Sequence, residues 1–481
     1  MSRALDGIRV LDLSTSLAEA TGRILADLGA EVIKVEPPGG CDARFAPPFA
    51  TTPTQENPRP QGAGDDPEQS LFWRAFGLGK KSVVLDIDVT SDRDRLLALV
   101  DTADILIESS TPGDMEAKGL GFDALHARNP MLLYVSVSPF GQTGPHAKLP
   151  ATDLTIAASG GFLNATGDGN RVPIPVGLPE TAHLGATQAA ADVLMALYSR
   201  NRSGEGQHLD ASIQAAVLWS LMNLTGYAAA GQNMPQSGDD RSERTGSMPV
   251  FPGLDLPVIE ACKDGYIAIV LVLGAQGAFG FNACMNWIGE QGELDADLME
   301  IDWMTWIQQL QDGTLALETA LRAISQFKAK MHSMTKAEIQ AEAVRQKWLI
   351  SPINLAPDLL ADPQLLARDF WIDVDGEKQP GPFARLSGTP IEYDRPAPTL
   401  GQDQALVDSL DRKPLAPTVS SPTPRTQAFE GLKVADFSWI AAGPLISKDL
   451  ANLGATVLRV ETESRIDTLR FIPPWIGDPG T

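Results

Sequence analysis

The chain has 481 residues, 43% hydrophobic and 21% charged, with a formal net charge of −23, which is room for two or three domains of ordinary soluble composition and disfavours a nucleic-acid or anionic-membrane partner. Its three cysteines, Cys41, Cys262 and Cys284, are too far apart in sequence for a metal-ligand set or a disulfide framework. No basic-plus-apolar signal segment opens the chain and no apolar run approaches the roughly 18 residues of a membrane span, so the expected location is cytoplasmic, with no metal and no membrane.

Residues 5–36 read as one βαβ unit. A β-branched run at 8–13 is a strand, a polar turn follows at 14–16, and apolar residues at helical spacing over 17–28 form a helix. Gly29 stands where a helix end needs positive φ, and 31–35 is a second strand. Residues 37–69 are Pro- and Gly-rich loop. Strands are then expected at 82–85, 105–107 and 132–138, with a capped helix at 91–100 and the loop PFGQTGP at 139–145. Residues 153–169 are rich in small residues, including Gly160, Gly161 and Gly167. Residues 184–200 form an amphipathic helix, and a strand at 208–211 and a further helix to about 227 follow. Strands alternating with helices at this spacing predict an α/β fold with a doubly wound parallel sheet.

The pattern changes after 228, to hairpin-like strands around Lys263-Asp264-Gly265 and then helices. The expected organisation is a large domain at 1–227, a smaller one at 228–375, and a segment at 376–412 returning to the large domain. A Pro/Ser/Thr linker follows at 413–428. From 429 to 481 the opening text returns. Gly7, Val10, Asp12 and Ser14 match Gly431, Val434, Asp436 and Ser438; Leu28-Gly29-Ala30 matches Leu453-Gly454-Ala455; Val35-Glu36 matches Val460-Glu461. One such unit of about 50 residues buries too little apolar surface to be secure alone. The chain is therefore expected to be a piece of a longer two-copy protein, the alternative being a tail that docks elsewhere.

These stretches together resemble the class III CoA-transferases, the family of carnitine CoA-transferase and formyl-CoA transferase. The resemblance rests on LDGIRVLDLS…ADLGAEVIKVEPPGG, GKKSVVLDI, ADILIESSTPGDMEAKGLGFDAL, YVSVSPFGQTGP, TDLTIAASGG, SGEGQHLDASI, ACKDGYIAI, FARLSGTP and APTLGQDQALV, in family order. It implies a Rossmann-like large domain with a smaller inserted one, and interlocked dimers. The implied ligands are an acyl-CoA and a carboxylic acid; the implied partner is a second copy, in cis or as a homodimer.

The resemblance also implies an aspartate that attacks the thioester, with coenzyme A then held as an enzyme thioester. Its position falls on Ala182. Glu180, two residues upstream, has the right group on a displaced backbone; the plainer reading is an acid favoured at a helix N-terminus. His183 is expected to be structural. Two further departures agree. The family's Gly-Pro is kept as Gly443-Pro444 in the second copy but replaced around Ala18-Glu19-Ala20 in the first, and a family arginine is Ala117, with Lys118 beside it. The first copy is thus expected to be degenerate, with the catalytic aspartate in the second copy beyond Thr481. The alternative is a non-catalytic half that holds CoA thioesters or its sister copy.

Lys80, Lys81 and Arg44 are the candidates for CoA contacts, the lysines because ammonium groups pair well with phosphates. Gly141, Gly144, Gly204 and Gly206 allow close backbone approach or simply make turns. Asp153 matches a family acid and is expected to orient a loop through its backbone. A racemase reading would use Asp153, but its histidine positions are Phe140 and Thr152 here. A dehydrogenase reading fails because residues 14–19 hold no G-x-G-x-x-G.

Overall fold

The buried β-branched runs pair into one parallel sheet, whose carboxyl ends carry the candidate site. The computed structural model describes residues 3–50, 66–166, 172–221, 226–231, 247–270, 275–408, 427–440, 442–463 and 466–471. Gly167 and residues 413–426 of the expected linker lie outside the described residues. The chain divides into two units, one of residues 1–166, 173–235 and 370–481 and the other of 167–172 and 236–369.

In the first unit, β1 (Arg9–Leu13), α1 (Glu19–Asp27) and β2 (Glu31–Glu36) form the opening βαβ. Helix α2 (Leu71–Phe76), β3 (Lys81–Val84), α3 (Thr90–Val100), β4 (Ile105–Glu108), α4 (Asp114–Ala117), α5 (Phe122–Arg128) and β5 (Leu133–Ser138) follow. Helices α6 (Asp153–Ser159), α7 (Phe162–Thr166) and α8 (Glu180–Ser203) precede β6 (His208–Ser212) and α9 (Ile213–Ser220). The six strands are all parallel, in the order β3-β2-β1-β4-β5-β6. Alternate side chains serve opposite faces: Val10, Ile105, Val135 and Val193 pack on one, Leu11, Ile33, Leu106 and Leu125 on the other. The order reverses between β1 and β4, and the crevice beyond their carboxyl ends is where ligands bind in open sheets of this kind.

The helix expected at 184–200 begins four residues earlier, at Glu180. Its first turn is stabilised by a distant residue, Asp153, which local periodicity does not reveal.

The second repeat folds as strand Lys433–Asp436, helix Ala442–Asn452 and strand Thr456–Arg459. Its strands pair in parallel with each other and form a separate two-stranded sheet. It rests on α8 and α9, with the Phe429 ring 5.0 Å from Tyr198 and Lys448 Nζ 3.8 Å from the Trp219 ring.

The second unit contains an antiparallel sheet of Ile350–Pro352, Gly265–Ile269 and Ile259–Cys262, with a hairpin turn at Lys263-Asp264. Its own core includes Phe281, Trp303, Trp306 and Phe327. No helix among the described residues is long and apolar enough to cross a membrane.

Candidate functional site

Loops at the carboxyl ends of β1, β4 and β5 frame the crevice. The Thr15 amide donates to Ser109 Oγ at 2.7 Å and the two hydroxyls lie 2.8 Å apart, joining the loop after β1 to the loop after β4. Ser16 donates through its amide and hydroxyl to Asp42. The loop after β5 turns at Gly141 and Gly144, with φ of 89° and 101°, values that a side chain would strain. It is pinned by the Gln142 amide, 3.0 Å from both Asp210 oxygens.

Below the first of these loops lies a closed group of four charges. Asp12 on β1 stands beside Lys34 on β2 in register. Lys34 Nζ is 2.6 Å from Glu19 Oε2 and 3.2 Å from Asp12 Oδ1; Lys80 Nζ is 2.5 Å from Glu19 Oε1 and 2.8 Å from Asp12 Oδ2. All four side chains are fully buried. Burial alone would raise the Asp12 pKa, but the Lys34 and Lys80 charges override it and hold the carboxyl well below its usual range. Burial would likewise lower Lys34, and the Asp12 and Glu19 charges push it well above the usual lysine value. Lys80, expected at a CoA phosphate, is thus enclosed between two carboxylates.

The other cations also have protein partners. Arg44 is fully buried: its Nε and NH2 donate to the two Glu36 oxygens at 2.6 and 2.9 Å, its NH1 to Glu68, and its guanidinium lies 4.2 Å from the Trp73 ring. Lys81 reaches Glu31, at the amino end of β2 and away from the crevice. Lys118, beside Ala117, pairs with Asp88.

A second part of the site forms at the start of α8. Its N-cap, Pro179, offers no side-chain acceptor. Asp153, the first residue of α6, supplies one: its Oδ1 accepts from the Thr181 amide at 2.9 Å, the Thr181 hydroxyl at 2.5 Å and the Ala182 amide at 3.3 Å. This is the loop-orienting role expected of it, carried out across two helices. Ala182 is buried directly behind this cap. His183 stacks on Phe76, centroids 5.1 Å apart. Glu180, half-buried, lines a cavity of about 310 Å³ with Asp153, Phe162, Leu163 and Leu178. That volume is at the lower end for a small-molecule pocket, about 300–1,000 Å³. Its rim is apolar and open, with Leu154 48%, Val176 42% and Leu178 65% exposed.

Sequence reasoning assigned no role to Glu19, Asp12, Lys34 or Gly22. The available signal was the pair of charges, Asp12 and Lys34, inside otherwise apolar strands. The residue-by-residue matches of the repeat stop at Glu461, and the geometry adds matches as far as Arg470. Glu461 pairs with Arg470 as Glu36 pairs with Arg44, and the Ile440 amide donates to Asp467 as that of Ser16 does to Asp42. One inserted residue before Arg470 hides the match.

The model of CoA-transferase family III matches residues 5–404 and again 429–480. A succinate–glutarate CoA-transferase of Agrobacterium fabrum is 30% identical over 84% of the chain and 94% of its own length. A succinyl-CoA–D-citramalate CoA-transferase of Chloroflexus aurantiacus is 33% identical over 83% of the chain and 92% of its own. A probable CoA-transferase of Mycobacterium tuberculosis is 28% identical over 96% of the chain, which covers 54% of it. Among solved structures, a CAIB/BAIF family protein from Brucella suis aligns with a TM-score of 0.66 at 28% identity, over 85% of this chain and 99% of that one.

Proposed function

The chain belongs to CoA-transferase family III, and from that membership we propose that it takes part in moving CoA between two carboxylic acids, with its first repeat as the degenerate half of a two-repeat enzyme. In that reaction a carboxylate oxygen attacks the thioester carbonyl, the C–S bond breaks, and CoA leaves as thiolate. The thiolate then attacks the enzyme's side of the mixed anhydride, which releases the first acid and leaves an enzyme thioester. The acceptor acid reverses the sequence. The crevice between β1 and β4 is the place proposed for CoA, with the Gly141–Gly144 loop at its edge. The cavity at the start of α8 is the place for the acyl group.

One observation carries the reading of a silent half: at the first turn of α8, where the nucleophile is expected, stands the buried methyl of Ala182. The family match that resumes at 429 supports a second copy as the source of the aspartate. The apolar rim of the cavity supports a copy of the same fold as its cover, in cis or as the other half of a dimer. Cys41, Cys262 and Cys284 are free thiols, which fits a cytoplasmic enzyme. The second reading, a half that binds CoA thioesters and does no chemistry, is favoured by the same alanine.

Glu180 is the residue that separates a silent half from a working one. The chain is incubated with succinyl-CoA and hydroxylamine, and the peptide spanning 173–200 is analysed by mass spectrometry. No hydroxamate is expected on Glu180, and an Ala182→Asp variant is expected to acquire one at 182. A hydroxamate on Glu180 of the unaltered chain would overturn the silent-half reading.

A further inference from the structure

Two differences between the repeats answer one another in space. Ala18-Glu19 aligns with Gly443-Pro444, and Gly22 aligns with Ser447. In the second repeat Ser447 Oγ donates to Asp436 Oδ2 at 2.6 Å. In the first, the matching oxygen, Asp12 Oδ2, accepts instead from Lys80 Nζ at 2.8 Å. A Cβ on residue 22 would lie 2.3 Å from Asp12 Oδ2 and 2.9 Å from Lys80 Nζ, so glycine there leaves room for the ammonium. Glu19 then completes the arrangement, giving one carboxylate oxygen to Lys80 and the other to Lys34. The second repeat has no carboxylate at this position, and Arg459, in the place of Lys34, pairs with Asp467. Without Glu19, two enclosed ammonium groups would share the single carboxylate of Asp12. An unpaired buried charge of that kind is strongly unfavourable unless an anion reaches it.

We propose that Glu19 is a built-in anion that fills a cationic site of Lys34 and Lys80 under the first βα loop and closes it to external anionic oxygens. The ligand class excluded is a phosphate or a carboxylate, the two anionic ends present in CoA transfer. This rests on the family reading for its biological meaning: a two-repeat enzyme would have one repeat in which this site is already filled. The site itself is testable without any turnover.

Three forms of the chain are melted with and without millimolar inorganic phosphate or succinate: unaltered, Glu19→Gln, and the graft Ala18→Gly/Glu19→Pro/Gly22→Ser. In the graft, the introduced serine hydroxyl takes the Asp12 oxygen as Ser447 takes that of Asp436 and displaces Lys80. Phosphate or succinate is expected to raise the melting temperature of both variants by about 3 °C or more while leaving the unaltered chain in place. A response to phosphate alone assigns the site to the phosphate class, and a response to succinate alone to the carboxylate class. Equal shifts in all three forms, or none, overturn the proposal. Variants that stay unfolded even in phosphate and succinate count against it as well, because a vacant anion site should be rescued by its anion. Failure of the family reading would appear separately, in the succinyl-CoA trapping, which does not depend on these melts.

Discussion

The two repeats share a local fold and differ in what surrounds it. Asp12 and Lys34 are register partners, and so are Asp436 and Arg459. Ser14 caps Asp12 as Ser438 caps Asp436. Yet Ile33, Thr21 and Val35 are 0%, 0% and 6% exposed, while their counterparts Leu458, Ile446 and Val460 are 67%, 65% and 43% exposed. The βαβ of the first repeat is flanked by β3 and β4 in a six-stranded sheet; among the described residues the strands of the second repeat pair only with each other. Related text therefore specifies the same turn, helix and strand pairing, but neighbours decide whether the apolar faces are buried. Each aliphatic side chain left in water forgoes about 1.5–3 kcal/mol.

The most severe break of this comparison is to separate the repeats. A peptide of residues 427–481 is expected to show no cooperative thermal transition by circular dichroism, because one βαβ unit lacks a second layer to bury its faces. The chain ending at 408 is expected to keep one. A sharp melt of the peptide alone would mean that the second repeat is stabilised from within.

Next in size is removal of one hydrogen-bond donor from the strand aspartate of each repeat. Lys80→Met leaves Asp12 and Glu19 sharing Lys34, and urea unfolding is expected to show a loss of about 3–5 kcal/mol, the usual cost of breaking a buried pair on one side. Ser447→Ala removes only a hydroxyl donor from Asp436, with a smaller expected loss. Equal losses would show that the four-charge group adds nothing over a serine.

Acid sharpens the same contrast. The carboxyl of Asp12 is held well below its unfolded value, so its contribution is complete above about pH 4 and is lost as pH falls through the folded value. Lys34 is shifted upward, so its contribution is complete below about pH 10 and is lost only as pH rises through its folded value. Between these limits the Asp12 and Lys34 contributions do not change with pH. Asp436 is also held low, at about 2, by the Ser438 and Ser447 hydroxyls and with little help from charge. Below pH 4, Asp12→Asn is expected to flatten the stability slope by about one proton, roughly 1.4 kcal/mol per pH unit. An unchanged acid slope would mean that Asp12 titrates normally.

The parts of this architecture legible in sequence are those set by near neighbours. Gly29 ends α1 at a φ of 100°, β-branched runs become buried strands, and their alternation with helices gives the parallel sheet. What sequence could not show depends on contacts across the chain. Glu19 meets Lys80 from 61 positions away, so a lysine pair before a strand reads as two candidates for CoA phosphates. Asp153 caps α8 from 28 positions away, so the helix seemed to start where its apolar periodicity does. Ala182 required no contact to be read, since its chemistry is fixed by its side chain.

Lys81 gives the smallest and most pointed test, because it adjoins Lys80 in sequence and differs from it in setting. Its ammonium is 2.6 Å from Glu31, both side chains are 30% exposed, and Arg9 also pairs with Glu31. Burial would raise the Glu31 pKa, but the Lys81 and Arg9 hydrogen bonds override it and hold the carboxyl below its usual value. A half-exposed pair of this kind contributes about 0.2–1 kcal/mol, less as salt screens it. Its position at the amino end of β2 places it away from the crevice at the carboxyl ends of β1 and β4. Lys81→Ala is therefore expected to change stability by less than about 1 kcal/mol and to leave coenzyme A affinity unchanged in calorimetry at both low and high salt. A salt-dependent loss of affinity would instead place a CoA phosphate near β3, and would move the ligand away from the strand-order reversal that the fold marks out.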